Sequence, residues 1–580
     1  MLTVEGKKMD REHPRPEYPT PQFQRDSFLS LNGIWDFCLD DDPNNHFSYP
    51  YDIVVPFAVE SELSGLQGTV KPGQIMHYRK RFTLPDGFNR GRVLIHFEAI
   101  DQVCDVFLNG IKIAHHENGY LPFTADCMEL KPGENEILVD VLDDTASPFF
   151  PRGKQSLRPH GIWYHATSGI WGDVWIESVP NQVIQSIRVT PLFDERKVYL
   201  KVQFEGRVTS SKVSVLVRGN EIASGELNSN AECTLDVARD FKPWTPEDPF
   251  LYDLDVTVNS DHIQSYFAMR KFSVTQHRGH PVFALNNKPF FLTGVLDQGY
   301  YSDGGLTAAS DEAILADLRM LKDMGFNMVR KHIKIEPMRW YYHCDRLGLI
   351  VIQDFVNVGD PVKLGLFILA PFFRLKIDDT TKHSWLGVGR PESRAAFEES
   401  MSAVVDRLYN VPCIAVWTLF NEGWGQFDSV RLTGRLKELD PTRLVDSTSG
   451  WFDQGAGDFD SRHVYFRKIN LKGDDKRILS VSECGAYSLV IEGHCETKKR
   501  TTYKYYHDLS GLTKAVKRLY QEQILPQREN GLSVVVYTQL SDVEAETNGL
   551  VTYDRKVVKV PPREMKALNE LLRFPEGGND

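Results

Sequence analysis

Two carboxylates in the sequence end strongly apolar runs. Trp417–Gln426 reads WTLFNEGWGQ and Ile478–Gly485 reads ILSVSECG, so Glu422 and Glu483 each close a buried-strand pattern and precede glycine directly or one residue on. If both runs are strands pointing the same way, the two acids meet at one end of a sheet. Paired carboxylates suit glycoside hydrolysis, in which one acid protonates the leaving oxygen and the other attacks the anomeric carbon or activates water. A gap of ~5–5.5 Å retains configuration and one of ~6.5–9.5 Å inverts it. A single strand-end acid is by default satisfied by solvent or a helix N-terminus, so the weight rests on the pair.

Other polar side chains fall at candidate strand ends: Asp297, Arg330 and His332, Asp354, Asn421, Asp446, Tyr465 and Gln539. Trp417, Trp424, Trp451, Tyr465 and Tyr537 lie on or beside the same ends. Their rings could receive the C–H face of a pyranose, although core packing also places aromatics there. His115-His116, His332 and His463 lack the spacing of a zinc site and read as structural or orienting. No Gly-x-Ser-x-Gly or Walker motif is present, and Ser482 reads as a strand residue rather than a nucleophile. No metal and no cofactor is expected.

The elements that must position these residues change character along the chain. With 580 residues, several domains are needed. Residues 1–22 read as a proline-rich extended arm. Residues 23–179 carry short β-rich segments between turns, including GIWDFCL, RVLIHFEAI, CDVFLNGIKIA and GDVWIESV, which indicate a β-sandwich. A second β block, residues 180–275, suits an immunoglobulin-like sandwich. Residues 276–580 alternate β-rich runs with helical periods, and SDEAILADLRMLKDMGF opens on a Ser N-cap. Candidate parallel strands are 290–295, 327–332, 349–355, 414–422, 444–449, 463–466, 478–483 and 532–540. Eight such strands point to a (β/α)8 barrel, with an open doubly wound sheet as the alternative. A barrel builds its active site at the strands' carboxyl ends, and Gly423 and Gly425 would let the chain turn there.

The formal net charge of −12, with both signs interspersed, argues against nucleic acid or an anionic membrane as partner. The partner expected is a small-molecule or oligosaccharide glycoside, with a homo-oligomer open. The N-terminus lacks a signal peptide's apolar core and the eight cysteines are scattered, so a cytoplasmic location with reduced thiols is expected. GLFILAPFF (Gly365–Phe373) is too short to span a membrane and reads as packed or partner-facing. The surrounding 360–389 loop would cover the leaving-group side of the mouth, form a subunit contact, or fold onto the barrel.

These residues resemble glycoside hydrolase family 2 over nearly the whole chain. LNGIWDF, VFLNG, ENGYLPF and SGIWGDVWIE resemble its jelly-roll, sugar-binding domain; NKPFFLTGV, GFNMVRKHIKIEP, LGLIVIQDF, WTLFNEGWG and NGLVTYDRK resemble its barrel. The resemblance implies a retaining exo-β-glycosidase with Glu483 as nucleophile and Glu422 as general acid/base. It implies that Asn421 binds the sugar's 2-hydroxyl, that Arg330 holds the nucleophile ionised and that His332 stands beside it, with Asp297, Tyr465, Gln539, Asn548 and Trp424 as further contacts. VLDQGYYSDGG after the first strand departs from the pattern of many members. So does Asn548-Gly549-Leu550, where the β-glucuronidases carry Asn-x-Lys, the lysine pairing with the sugar's carboxylate. Leucine there shifts weight to neutral sugars, β-galactosides before β-glucosides or β-mannosides. A β-glucuronidase, a transglycosylase and a non-catalytic carbohydrate-binding protein are the alternatives.

Overall fold

The computed structural model describes residues 1–40, 48–363, 365–366, 370, 375–496 and 504–575. Its first part is a jelly-roll sandwich of a four-stranded and a six-stranded antiparallel sheet. Strict alternation builds it: in Glu134–Leu142 every second residue is buried, and Val139 pairs with Tyr78 on one side and Val106 on the other. Those inward side chains pack with Trp35, Ile95 and Phe97 between the sheets. The second part is an immunoglobulin-like sandwich of three-stranded and four-stranded sheets around Val202, Val215, Leu254 and Val256. A further antiparallel hairpin, Phe272–His277 with His280–Leu285, leads into the barrel, and the Phe283 amide donates to Ser533 Oγ (3.3 Å).

The third part is a parallel (β/α)8-type barrel with strands β1 (Leu292–Asp297), β2 (Met328–Lys331), β3 (Ile350–Asp354), β4 (Ile414–Asn421), β5 (Leu444–Ser449), β6 (Phe459–Val464), β7 (Ile478–Gly485) and β8 (Leu532–Thr538). The hydrogen-bonded order runs β5-β4-β3-β2-β1-β8-β7-β6. The Asp458 amide, just before β6, donates to Val445 O of β5 (2.8 Å) and draws the remaining seam together. Every residue of β4, β7 and β8 is buried, because lining the barrel and facing its helices both exclude water. The outer ring is less regular than an eightfold alternation predicts. Helices follow β1, β2, β3, β4, β7 and β8, whereas the links after β5 and β6 (450–458 and 465–477) contain none.

The structure moves two strand ends that matter for the site. β1 runs to Asp297, so that residue lies on the strand and not beyond it. β6 begins at Phe459, four residues earlier than the expected 463–466, and ends at Val464, two earlier, because its polar FDSRH segment is buried between neighbours. Tyr465 therefore stands just past the strand. The N-terminal arm is clamped to both sandwich and barrel: buried Arg15 pairs with Asp173 (2.9 Å) and also donates to Ala308 O (3.2 Å). Most of GLFILAPFF lies outside the described residues. Among the described residues, no helix is long and apolar enough to cross a membrane.

Candidate active site

The carboxyl ends of β2, β3, β4 and β7 converge on one guanidinium. Arg330, at the end of β2 and 1% exposed, makes two hydrogen bonds to Asp354 of β3 (3.0 and 2.9 Å). It also donates to Asn421 Oδ1 of β4 (2.8 Å) and to Glu483 Oε1 and Ser482 O of β7 (3.1 Å each). A buried arginine is tolerable only when its donors are matched in this way, and here the matching fixes the relative positions of four strands. His332 completes the corner through Nδ1 to Asp354 Oδ2 (3.0 Å). Burial, then the nearby Lys154 charge, pushes its imidazole down to about 4, so the ring is neutral above that pH.

Glu483 is held ionised. Burial opposes its charge, but His463, Arg330 and His332 and a hydrogen bond from the Tyr465 hydroxyl outweigh burial and hold its carboxyl at about 2. Behind it the chain must turn at once: Gly485 has φ +85°, and a Cβ there would lie 2.4 Å from the Tyr537 ring.

Glu422 sits differently. It follows the last residue of β4 with φ +53°, a left-handed conformation uncommon outside glycine, and Gly423 continues the turn at φ +75°. A Cβ on Gly423 would lie 2.3 Å from Phe452, so the turn that aims Glu422 inward requires glycine next to it. The Glu422 carboxylate meets His463 Nδ1 (2.9 Å), while His463 Nε2 faces Ser449 Oγ (3.0 Å) and Glu483 Oε1 (3.5 Å). One imidazole thus bridges the two acids. Ligand-type atoms of Glu422, His463 and Glu483 all lie within 4.8 Å of one another.

Glu422 opens onto a cavity of about 400 Å³, also lined by Trp163, Trp424, Trp451, Tyr465 and Asn357. Of the aromatics read as lying near the strand ends, Trp424, Trp451 and Tyr465 line this cavity. Trp417 and Tyr537 do not: they are buried in the barrel core, with Trp417 Nε1 donating to Asp440 (2.9 Å). Gln539 and Asn548 form a buried chain, Gln298 donating to Gln539 (2.7 Å) and Gln539 to Asn548 Oδ1 (3.0 Å). Among the described residues, Asn421 Nδ2 and Asn548 Nδ2 are buried donors with no acceptor. Asp297 belongs to another network, accepting from Lys331 Nζ (2.6 Å), which also reaches Glu336 (2.5 Å). Asp446 accepts from Ser461 (2.8 Å), and burial raises its carboxyl to about 6.

The barrel does not build the mouth alone. The sandwich loop Pro151–Gln155, PRGKQ, reaches across it: the Arg152 amide donates to Asn357 O (3.2 Å) and Arg152 lines the cavity. Glu546, buried after β8, accepts from the Tyr164 hydroxyl, and its pKa is raised by burial, with Glu483 and Glu422 adding to the effect.

Three family descriptions match successive stretches: "Glycosyl hydrolase 2 galactose-binding domain-like" over residues 70–148, "Glycosyl hydrolases family 2" over 182–270 and "Glycosyl hydrolases family 2, TIM barrel domain" over 278–472. The chain belongs to glycoside hydrolase family 2. It is 25% identical over 362 residues to a putative beta-glucuronidase of Formosa agariphila, covering 60% of this chain and 39% of that protein. It is 26% identical over 440 residues to a beta-galactosidase of Klebsiella pneumoniae, covering 71% and 38%. The chain thus spans well under half the length of these curated relatives. An uncultured Clostridium beta-glucuronidase has the same fold at TM-score 0.75 and 18% identity, covering 96% of this chain and 99% of that one. The Ruminococcus gnavus beta-glucuronidase superposes at TM-score 0.73 and 17% identity, covering 96% and 99%.

Within this family 2 chain, sequence reasoning missed His463, Glu546 and the PRGKQ loop as neighbours of the acids. His463 carried a local signal, standing two residues before Tyr465, but the register of β6 hid it. Glu546 and PRGKQ carried none, since their nearness depends on how three domains close together. Among the described residues, two groups offer donor atoms of the right type for a divalent cation: Glu422/His463/Glu483, which is the acid pair itself with the histidine between, and His165/Glu496/Glu544, where a sandwich histidine meets two barrel-loop acids.

Proposed function

We propose that the protein is a retaining β-glycosidase acting on terminal β-linked sugars by double displacement. The observation that carries this reading is the pair of buried acids, Glu422 and Glu483, whose oxygens approach within 4.8 Å and whose surroundings differ in charge. Carboxyl groups ~5–5.5 Å apart leave no room for a water between acid and sugar, so the second acid must attack directly. In the first step a Glu483 oxygen bonds to the anomeric carbon while Glu422 gives its proton to the departing oxygen. The glycosidic C–O bond breaks and the alcohol leaves. In the second step Glu422, now a carboxylate, takes a proton from water, and the hydroxide oxygen displaces Glu483 with a second inversion. Asn421 Nδ2, a donor beside the acid without an acceptor among the described residues, would bind the sugar's 2-hydroxyl. Trp424 and Trp451 supply apolar faces to the cavity.

The relatives' names divide between neutral and acidic sugars. The sequence argument for β-galactosides rests on Leu550, which is buried and offers no charge. Leu550 removes a cation from that one loop only, because PRGKQ brings Arg152 and Lys154 toward the same mouth. The test of the reaction itself is the first-formed anomer from a p-nitrophenyl β-glycoside, followed by NMR, together with mass mapping of a trapped 2-deoxy-2-fluoro glycosyl adduct. A β-anomer and an adduct on Glu483 are expected; an α-anomer or a label elsewhere ends the proposal.

A further inference from the structure

Lys154 is anomalous. The residue is 7% exposed, and among the described residues its ammonium takes part in no hydrogen bond and no ion pair. It lies over two aromatic rings, 5.7 Å from the centroid of Trp424 and 5.6 Å from that of Tyr164. Ring faces recover part of the cost of desolvating a cation, but an ammonium usually keeps a true acceptor when buried. Its neighbour Arg152 also lacks an ion pair among the described residues, and Arg152 Nε is buried without an acceptor. Two unpaired cations therefore come from one five-residue loop.

The loop is held firmly in place. Lys154 O accepts from the Tyr164 amide (2.9 Å), Gln155 Nε2 donates to Asp101 (2.9 Å), and Gly153 packs against Ile333 O, just beyond His332. Trp424, beneath the Lys154 ammonium, follows Glu422 by two residues and lines the catalytic cavity. Lys154's charge also acts on His332 and on Glu546. Glu546 feels the Lys154 charge but makes no ion pair with it among the described residues, and it accepts from the Tyr164 hydroxyl instead.

We propose that Lys154 is a specificity-determining residue that receives a carboxylate carried by the terminal sugar, making hexuronides the preferred substrate class. The inference rests on the glycosidase reading above. Glu422, Glu483 and Glu546 would otherwise repel an anionic sugar at this mouth, so an acidic substrate needs a cation there and a neutral one does not. The cation comes from the N-terminal sandwich, in place of the one missing at Leu550.

The experiment compares p-nitrophenyl β-glucuronide and β-galacturonide with p-nitrophenyl β-glucoside and β-galactoside, which differ from them only in carboxylate against hydroxymethyl. Wild type should favour the uronides in kcat/KM. Lys154→Met should lower the uronide-to-neutral ratio about a hundredfold, with Lys154→Arg restoring much of it. Calorimetric binding of free glucuronate and glucose to wild type and Lys154→Met provides a readout that needs no turnover, and glucuronate binding should be lost in the variant. A wild-type preference for neutral glycosides, or an equal loss on both series, overturns the proposal; the latter would make Lys154 a counter-charge for the three carboxylates. Absence of all turnover with Lys154-dependent glucuronate binding would sink the glycosidase reading and leave the anion site standing.

Discussion

The ends of β4 and β7 each present a glutamate to the same mouth, yet their environments are opposite in kind. Glu483 is enclosed by Arg330, Tyr465 and His463 and held ionised at about 2. Glu422 has a single side-chain hydrogen-bond partner among the described residues, His463, sits on a left-handed backbone, and faces the open cavity. These environments fit the roles proposed above: a carboxylate kept charged by a buried guanidinium suits attack on carbon, and one that reaches the cavity suits proton exchange with a departing oxygen.

The comparison is broken most severely at the proposed nucleophile. Glu483→Gln should lower kcat by about 10⁴-fold or more on every β-glycoside, whereas Glu422→Gln should spare activated p-nitrophenyl leaving groups far more than alkyl ones. Steady-state rates across a leaving-group series check this, and equal losses on good and poor leaving groups in both variants would erase the distinction. Arg330→Met sharpens it at the next level. Removing the guanidinium lets burial raise the Glu483 carboxyl, so the acid limb of the kcat/KM profile should move to higher pH and the rate fall by about 10²-fold. An unmoved acid limb would mean that Arg330 acts only as scaffold.

The smallest effect concerns stability. His332 is held neutral down to about pH 4, against an ordinary value of 6.5. Between those values the unfolded chain binds a proton that the folded chain refuses, so this contribution is lost as pH falls from 6.5 to 4, by up to about 3 kcal/mol. Urea midpoints at pH 7 and 4.5 should diverge in wild type and diverge less in His332→Gln. Matching pH slopes in the two proteins would count against it.

Much of this was readable without coordinates. WTLFNEGWGQ and ILSVSECG placed both acids at strand ends because an apolar run that stops at a charge is a local signal, and the helix after β1 was visible in its Ser N-cap and its periodicity. The start of β6 was not, since buried Asp460 and Ser461 look like loop until their partners are known. Trp417 and Tyr537 looked like sugar platforms and lie in the core, because adjacency to a strand end does not tell which face a side chain takes.

The sequence by itself determined the barrel strands other than the start of β6, the order of the two β-rich parts and the barrel, and the two carboxylates with their glycine turns, all of which depend on neighbours a few residues apart. Only the tertiary structure decided how closely Glu422 approaches Glu483, that His463 lies between them, and that Lys154 arrives from another domain. Those relations join residues tens to hundreds of positions apart, and closure of the barrel and docking of the sandwich against it set them, with no local pattern to record the outcome.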